Sequence, residues 1–307
     1  MLDTPTWNDE IFRGSLVYVA VFMAIIGACV FPFRNKNLQA KATWASWISW
    51  MIALPILFIL LALEGSWPLA GFVFLSILGI SEFFRITGIY SHYWYLWFTY
   101  GAAVATGLCI HYNLAYLYNL MPMILLFCLS IIPIFQNEYK RMLQLISLSI
   151  IAYILIAWSF LHLGWLVRWE NGARQLLLII LLTEICDALN LAFSKLYGKT
   201  KWFANIAPRR NVEGFALSCL ITLALAFGLR HLLPERTEIY WLSAGLAASL
   251  VGGMGDIVLS GIRRDIQVKD RNAFIIGRSG VLDRLDRLIF VAPLYYYILK
   301  TFEYYSI

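Results

Sequence analysis

Residues 142–167 read MLQLISLSIIAYILIAWSFLHLGWLV and contain no Asp, Glu, Lys or Arg. A helix needs about 20 largely apolar residues to cross the hydrocarbon core of a bilayer, and this segment is long enough. Its apolar run is continuous, whereas a strand of a membrane β-barrel alternates between apolar and polar residues over roughly ten positions. The segment therefore predicts a transmembrane α-helix.

The rest of the chain has the same character. Of its 307 residues, 61% are apolar and 14% are charged, and the mean hydropathy is +0.72, which excludes an ordinary soluble domain. We therefore expect an all-α, polytopic integral membrane protein with about ten transmembrane helices. The predicted spans are residues 15–33, 44–63, 67–81, 93–111, 114–135, 142–167, 174–194, 212–233, 239–260 and 286–304.

The basic residues are divided unequally between alternate loops. Of the 24 Lys and Arg residues, 18 fall in one set of loops and 6 in the other. Because Lys and Arg are retained on the cytoplasmic side, this pattern predicts that both termini lie outside. It also places the two long basic loops, 195–211 and 261–285, together on the cytoplasmic face of what we expect to be the cell inner (cytoplasmic) membrane.

Several common features are not expected. The start of the chain, with Asp3, Asp9 and Glu10, lacks the basic region of a cleavable signal peptide, so the first span should be retained. The cysteines lie in predicted spans without CxxC spacing, and the scattered histidines predict no metal site. A P-loop motif, GxxxxGK[ST], is absent from the sequence. Four glutamates in short connections are expected to be solvated: Glu64, Glu82, Glu138 and Glu170.

A segment rich in charge, residues 256–286, runs from the end of one predicted span, 239–260, to the start of the last, 286–304. It contains Asp256, Arg263-Arg264, Lys269-Asp270 and Asp283-Arg284-Leu285-Asp286. Basic residues there can be explained by the topology signal and by attraction to anionic headgroups. The interleaved carboxylates cannot, because they repel phosphate unless a cation lies between. We therefore expect a divalent cation that bridges carboxylate and phosphate oxygens, as nucleoside triphosphate chemistry requires.

Two of these acids have a simpler alternative explanation. Asp283 and Asp286 are three residues apart at the start of the last predicted span, where acids favour the helix dipole by about 0.3–1 kcal/mol. Asp256 is harder to explain in this way, because it lies near the end of an apolar span, where a lone carboxylate is costly. The glycines of residues 252–255 precede it and would allow a ligand or a neighbouring helix to approach closely.

The charged segment resembles the signature of the phosphatidate cytidylyltransferases, or CDP-diacylglycerol synthases. That signature runs approximately Ser, two residues, Lys-Arg, four residues, Lys-Asp, a glycine-rich turn with His-Gly-Gly, and Asp-Arg-x-Asp. In the same register this chain has Ser260, Arg263-Arg264, Lys269-Asp270, Gly277-Arg278-Ser279-Gly280 and Asp283-Arg284-Leu285-Asp286.

A second stretch is similar to the same family, in which an intramembrane Asp opens a segment that ends in a Ser-Pro-x-Lys-Thr-x-Glu-Gly turn. The matching residues here are Asp187, Lys195, Gly198-Lys199, Lys201, Ala207-Pro208-Arg209-Arg210-Asn211 and Glu213-Gly214. From the residues alone, Glu184 and Asp187 could instead form a structural pair with Lys195 or an Arg of a neighbouring loop. We divide the chain into N-terminal transmembrane helices, 1–173, and a C-terminal catalytic transmembrane region, 174–307, with cytoplasmic loops 195–211 and 261–285.

The resemblance implies roles for individual residues. Catalytic roles fall to Asp256, Asp283, Lys269 and Arg264. Mg²⁺ is the implied cofactor, as two ions or as one ion with a monovalent cation, and its implied ligands are Asp256, Asp283 and Asp286. Substrate-binding roles fall to Lys199, Lys201, Arg209, Arg210, Arg263, Asp187, Glu213, Ser260, Arg278 and Arg284.

The chain departs from the family pattern at five positions. Arg263 is found where the family usually has Lys, Arg278 where it has His, and Ser279 where it has Gly. Ala207 and Asn211 replace the hydroxyl residues that flank the Pro. Arg is not equivalent to Lys, because its planar fork binds phosphate bidentately and it does not lose its proton. The changed positions remove a proton carrier and two hydroxyl donors, so the identity of the acceptor lipid is left open.

The reaction implied by the resemblance is attack of a lipid phosphate oxygen on the α-phosphorus of CTP. It converts phosphatidic acid to CDP-diacylglycerol and releases pyrophosphate, at an active site on the cytoplasmic side. The implied partners are CTP, phosphatidic acid or a related lipid phosphate, membrane lipids and a second copy in a homodimer. No nucleic acid partner is expected.

Three alternative functions are considered. The first is a CTP-dependent enzyme that acts on another lipid phosphate or on a lipid alcohol. The second is a CDP-alcohol phosphotransferase, which is disfavoured because the last two aspartates of that class are four residues apart, whereas Asp283 and Asp286 are three apart. The third is a transporter, which is expected to have charges near the midplane and repeated halves. The sequence shows no internal repeat, so an enzyme is favoured.

Overall fold

The computed structural model of this chain describes residues 4–36, 38–63, 65–169, 171–208, 210–234, 236–265 and 280–305. Within these ranges the chain forms helices and no β-strand, apart from one isolated antiparallel bridge between Lys201 and Asn211. The helices are α1 (Pro5–Asn8), α2 (Glu10–Val30), α3 (Leu38–Ala62), α4 (Trp67–Ile86), α5 (Tyr93–His111), α6 (Ala115–Gln136), α7 (Met142–Ala152), α8 (His162–Val167), α9 (Gly172–Leu196), α10 (Val212–Gly228), α11 (Glu238–Leu246), α12 (Gly252–Asp265), α13 (Val281–Leu285) and α14 (Leu288–Tyr305).

Eight helical segments of the described chain are long and apolar enough to cross a membrane. They are Glu10–Val30, Thr43–Ala62, Trp67–Ile86, Ala115–Gln136, Met142–Val167, Gly172–Leu196, Val212–Leu232 and Glu238–Asp265. The two other predicted spans correspond to α5 and α14, which are helices but are less apolar because they are rich in Tyr and Trp. The prediction of an all-α, polytopic membrane protein is confirmed.

Two of the long segments are composite helices with a π-helical stretch in the middle. Tyr153–Ser159 joins α7 to the region of α8, and Ala247–Val251 joins α11 to α12. In the first, the buried hydroxyl of Tyr153 is 2.6 Å from the Thr106 hydroxyl of α5. The second stretch packs against α9, α10 and α14, so it fixes α12 within the C-terminal bundle.

Glycines at the start of α12 allow this helix to lie close to its neighbours. A Cβ atom at Gly253 would be 2.5 Å from the ring of Phe215 on α10. At Gly255 it would be 2.7 Å from the ring of Phe290 on α14 and 3.2 Å from the carbonyl oxygen of Asp286. Of the two explanations left open by the sequence, close approach of a neighbouring helix is therefore observed. It brings the helix turn that carries Asp256 next to the start of α14.

The short helix α13 lies against α4, which belongs to the N-terminal half of the chain. A Cβ atom at Gly79 of α4 would be 3.3 Å from Cδ1 of Leu285. α4 extends to Ile86, five residues beyond the predicted span, so Glu82 is part of this helix. The prediction of a solvated Glu82 in a short connection is wrong, because the residue is half-buried and accepts a hydrogen bond from the Leu282 N–H at 3.1 Å.

Candidate active site

Four charged side chains from separate parts of the C-terminal region form one network. Nη2 of Arg210, in the loop before α10, is 2.8 Å from Oδ1 of Asp187 on α9 and 2.7 Å from Oδ2 of Asp256 on α12. Nη2 of Arg287, just before α14, also pairs with Asp187 Oδ1 and is 3.7 Å from Asp256 Oδ2. Two guanidinium groups therefore bridge the same two carboxylates.

A further ion pair lies beside this network. Asp286 is in the turn between α13 and α14, and its carboxylate is 3.6 Å from Nη2 of Arg263 on α12. Burial raises the pKa of the Asp286 carboxyl well above its usual range, the nearby Asp256 raises it further, and Arg287 and Arg263 oppose this rise. The ionised form of Asp286 therefore depends on positive charge nearby.

Two of the arginines have a buried donor nitrogen that is not used within the described part of the chain. The Nη1 atoms of Arg210 and Arg287 are buried and have no hydrogen-bond partner among the described residues. The Arg287 side chain is only 3% exposed, so this donor is removed from bulk water. Because a buried charged donor without an acceptor is costly, these two nitrogens indicate a place for an anionic ligand.

The loop that carries Arg210 is held at both ends by hydrogen bonds. The Asn211 side chain accepts from the Gly214 N–H at 3.1 Å, which caps α10, and donates to the Ser194 carbonyl oxygen at 2.8 Å. The Glu213 carboxylate accepts the N–H groups of Lys199 and Thr200 at 3.1–3.2 Å. In this structure Asn211 and Glu213 therefore shape the loop that presents Arg210.

The other predicted site residues lie around the cluster. Ser260 is half-buried, one helical turn after Asp256, while Lys199 and Lys201 are exposed. Arg264 is exposed and donates to the Asn205 carbonyl oxygen at 2.5 Å, which joins the end of α12 to the loop before α10.

The remaining predicted site residues are Arg284 and four residues that are wholly or partly undescribed. The Arg284 guanidinium lies over the ring of Trp50, 4.7 Å from its centroid, and so faces α3. The predicted roles of Arg209, Lys269 and Arg278 concern residues outside the described ranges. The same holds for the side chain of Asp283, of which only the backbone, within α13, is described.

Two of the predicted metal ligands, Asp256 and Asp286, are paired with arginines in this structure. In the part of the chain that is described, no three His, Cys, Asp or Glu side chains are grouped so that they could hold a metal ion. Asp256 and Asp286 are nevertheless neighbours, since Gly255 packs on the Asp286 carbonyl oxygen and the two carboxylates interact. Carboxylate oxygens are the ligands that Mg²⁺ prefers, so the Mg²⁺ site remains a prediction with suitable donors.

Sequence reasoning missed Arg287. Arg287 entered only the count of basic residues that predicts membrane orientation. It directly follows the Asp283-Arg284-Leu285-Asp286 motif and pairs with both Asp187 and Asp256. The signal was a basic residue at the start of an apolar helix, where a charge needs a partner. Sequence reasoning also left open whether Asp187 pairs with an Arg of a neighbouring loop, and the pair with Arg210 is such a contact.

Comparison with known proteins adds an independent finding. The model of a family described as the cytidylyltransferase family matches residues 44–302. The chain is 26% identical over 235 residues to the uncharacterized protein YnbB of Escherichia coli (strain K12), and the match covers 75% of this chain and 78% of that protein.

Several relatives carry a functional name, among them two staphylococcal proteins. The chain is 29% identical over 168 residues to the phosphatidate cytidylyltransferase of Staphylococcus aureus (strain COL), which covers 54% of this chain and 63% of that protein. It is 29% identical over 147 residues to the enzyme of the same name from Staphylococcus epidermidis, which covers 47% and 56%. The chain thus spans less than two thirds of the length of these two relatives.

The family match includes both charged segments and the helices that bring them together. It also extends over most of the N-terminal half, where the sequence alone carried only hydropathy. This chain therefore belongs to the cytidylyltransferase family, a family of nucleotidyltransferases, as its two charged segments predicted.

Proposed function

We propose that this chain is a membrane-embedded, Mg²⁺-dependent phosphatidate cytidylyltransferase, which converts CTP and phosphatidic acid to CDP-diacylglycerol and pyrophosphate. The observation that carries the proposal is the partly buried network of Asp187, Arg210, Asp256 and Arg287, in which two guanidinium nitrogens have no hydrogen-bond partner among the described residues. Family membership supports the nucleotide, and the names of the staphylococcal relatives support the acceptor.

In the proposed reaction, a phosphate oxygen of phosphatidic acid attacks the α-phosphorus of CTP and the bond to pyrophosphate breaks. No proton transfer is required, because the attacking oxygen is already anionic. Acceleration then rests on positioning and on the stabilisation of negative charge. Arg210 and Arg287 suit this task because Asp187 and Asp256 hold their guanidinium groups in fixed directions before the substrate arrives.

The charge balance of the cluster supports a metal requirement. When Asp286 is ionised, the three carboxylates of Asp187, Asp256 and Asp286 are balanced by the three guanidinium groups of Arg210, Arg263 and Arg287. A neutral cluster of this kind does not by itself offset the charge of a nucleoside triphosphate. Asp256 and Asp286, with Asp283, would hold Mg²⁺, as two ions or as one with a monovalent cation. When bound, Mg²⁺ supplies neutralisation of the phosphate oxygens.

The location of the cluster suits two substrates of different solubility. Asp187 and Asp256 lie in the second halves of the helical segments Gly172–Leu196 and Glu238–Asp265, whose final residues the distribution of basic residues predicts to be cytoplasmic. Cytoplasmic CTP and a lipid held in the bilayer can meet there. We accordingly propose the inner membrane as the location, with the active site on the cytoplasmic side, and a homodimer as the assembly.

A second candidate is transfer from CTP to another lipid phosphate. Two positions where the family has hydroxyl residues offer none here: Ala207 is buried, and both polar atoms of the Asn211 amide are used to hold the loop. The contacts around the substrate can therefore differ from those in relatives that act on phosphatidic acid.

The test is direct measurement of product. The purified protein in lipid nanodiscs would be given radiolabelled CTP with phosphatidic acid or a polyprenyl phosphate, with and without Mg²⁺. A CDP-lipid and pyrophosphate formed with phosphatidic acid, only when Mg²⁺ is present, is the expected result. Product from the polyprenyl phosphate alone would support the second candidate, and no CDP-lipid from either would reject both.

A variant pair ties the activity to the cluster. The double variant Asp256→Asn/Asp283→Asn should be inactive, because it removes two of the proposed Mg²⁺ ligands. The matched control is Asp9→Asn, which also replaces a carboxylate that pairs with an arginine, at the far end of α9. Full activity of the double variant would contradict the proposed mechanism. Light scattering of the detergent-solubilised protein would test the homodimer separately.

A further inference from the structure

Helix α13 begins without a capping side chain of its own. Its N-cap residue is Gly280, which has extended backbone angles and no side-chain oxygen to accept the first free N–H groups. The acceptor comes from a residue about 200 positions earlier: Oε2 of Glu82, on α4, is 3.1 Å from the backbone N of Leu282. A carboxylate of the N-terminal half thus takes the place of the missing N-cap side chain.

The glycine at this position is required by the approach of Glu82. A Cβ atom at residue 280 would be 1.7 Å from Oε1, 2.3 Å from Cδ and 2.5 Å from Oε2 of Glu82. Gly280 has a φ of −74°, which any residue can adopt, so the backbone conformation does not explain a glycine. The close contact with the carboxylate does explain it.

Two further contacts hold α13 on the N-terminal helices. Leu285 packs next to Gly79, one turn before Glu82 on α4, and Arg284 lies over the ring of Trp50 on α3. Only Asp286 separates the end of α13 from Arg287, which bridges Asp187 and Asp256. A shift of α13 would therefore be transmitted through one turn of backbone to the cluster.

We propose that Glu82 is a positioning residue for the proposed cytidylyl transfer: by capping α13 from α4, it fixes the turn that carries Asp286 and Arg287 against the carboxylates of α9 and α12. The inference rests on the proposed function for its effect on rate, and on the structure alone for its effect on α13. It assigns to the N-terminal half a specific task in the active site.

The kinetic test compares three changes in nanodiscs. Glu82→Ala removes the acceptor and should lower kcat roughly 10- to 100-fold, because small displacements of catalytic groups are costly, with the KM for CTP changed less than about twofold. Glu82→Gln keeps an oxygen acceptor of the same length and should restore most of kcat. Gly280→Ala should resemble Glu82→Ala, because the new Cβ displaces the carboxylate.

A double variant separates this contact from general damage. If Gly280→Ala acts by displacing Glu82, then adding it to Glu82→Ala should cost little more, so the two effects should not add. The control is Asp9→Ala, which removes a side-chain cap from α2 at a distance from the cluster and should leave kcat within about twofold. Additive effects, or an unchanged kcat in Glu82→Ala, would overturn the proposal.

Hydrogen exchange supplies a readout that does not depend on activity. Mass spectrometry of peptides covering residues 280–287 should show faster amide exchange in Glu82→Ala than in the wild type, and unchanged exchange in Glu82→Gln and Asp9→Ala. If the wild type makes no CDP-lipid, the proposed function fails, whereas the capping of α13 is still tested. Unchanged protection in Glu82→Ala would overturn the inference whatever the activity.

Discussion

Toward each end of α9, a partly buried aspartate is paired with an arginine, but the two pairs differ in what surrounds them. At the first end, Arg174 pairs with Oδ2 of Asp9, and Oδ1 of Asp9 caps α2 by accepting the Ile11 N–H at 3.0 Å. Both carboxylate oxygens are therefore in use. Toward the other end, 13 residues and about 20 Å further along the helix, Asp187 belongs to a network in which two arginines have donors that no described residue accepts.

This difference distinguishes a structural ion pair from a binding site. Buried ion pairs are weak contributors to stability, because the cost of removing the charges from water offsets their attraction. A cluster of three carboxylates and three guanidinium groups is thus hard to explain as a stabilising element. One carboxylate with one guanidinium needs no ligand, whereas the buried Nη1 atoms of Arg210 and Arg287 have no acceptor within the described part of the chain.

The largest effect should come from neutralising the central carboxylate. Asp256→Asn keeps the size of the side chain but removes the charge that faces Arg210 and Arg287, and it should lower kcat/KM on the order of 10²- to 10³-fold. Asp9→Asn makes the same change at the other end of α9 and should stay within about threefold of wild type. Initial rates of CDP-lipid formation measure both. An equal loss of kcat/KM in the two variants would contradict the distinction between a binding site at Asp256 and a structural ion pair at Asp9.

A smaller loss is expected when the arginine fork is replaced. Arg287→Lys keeps the positive charge but cannot contact Asp187 and an anion through two nitrogens in one plane, so kcat should fall roughly 10- to 100-fold. Arg174→Lys should change kcat less than about twofold, because Arg174 pairs with a single carboxylate oxygen. Activity of Arg287→Lys close to that of the wild type would show that charge alone is sufficient there.

The order of the two aspartate variants should be reversed for stability, so that Asp9→Asn has the larger effect. Asp9→Asn keeps an oxygen that can cap α2 but leaves Arg174, whose side chain is 12% exposed, without this charged partner, so it should cost about 1–3 kcal/mol. Asp256→Asn should cost less or stabilise, because Arg210 and Arg287 keep Asp187. Apparent melting temperatures in one detergent compare them. A lower melting temperature for Asp256→Asn than for Asp9→Asn would contradict this account.

The sequence predicted the helices well because the apolar runs are long and free of charge. It ended the third span at residue 81, since Ser81-Glu82 breaks the apolar run, whereas α4 continues to Ile86. It also began the last span at residue 286, whereas α14 begins at Leu288. Both errors fall where a polar residue near a helix end has its partner on a helix distant in the sequence. The spacing of apolar residues along one helix gives no information about such a partner.

For the site, the charged motifs predicted which acids meet but not how they are paired. Asp187 and Arg210 of one segment do come together with Asp256 of the other, as the resemblance and the shared face of the two basic loops had suggested. Arg287 and Glu82 were missed because their roles depend on contacts of α14 with α9 and α12 and of α13 with α4. Such contacts are made by packing, and a single sequence carries little signal of them.

The smallest effect should come from the exposed lysines of the loop before α10. Lys199→Ala and Lys201→Ala remove charges that are open to water, so each should raise the KM for CTP only about two- to threefold, with kcat unchanged. The effect should shrink as salt is raised, because exposed charges are screened, whereas the loss caused by Asp256→Asn should persist. Lys140→Ala, an exposed lysine in another loop on the same predicted face, is the control. If Lys199→Ala or Lys201→Ala abolished activity in high salt, the division between a buried catalytic cluster and an exposed attracting surface would have to be redrawn.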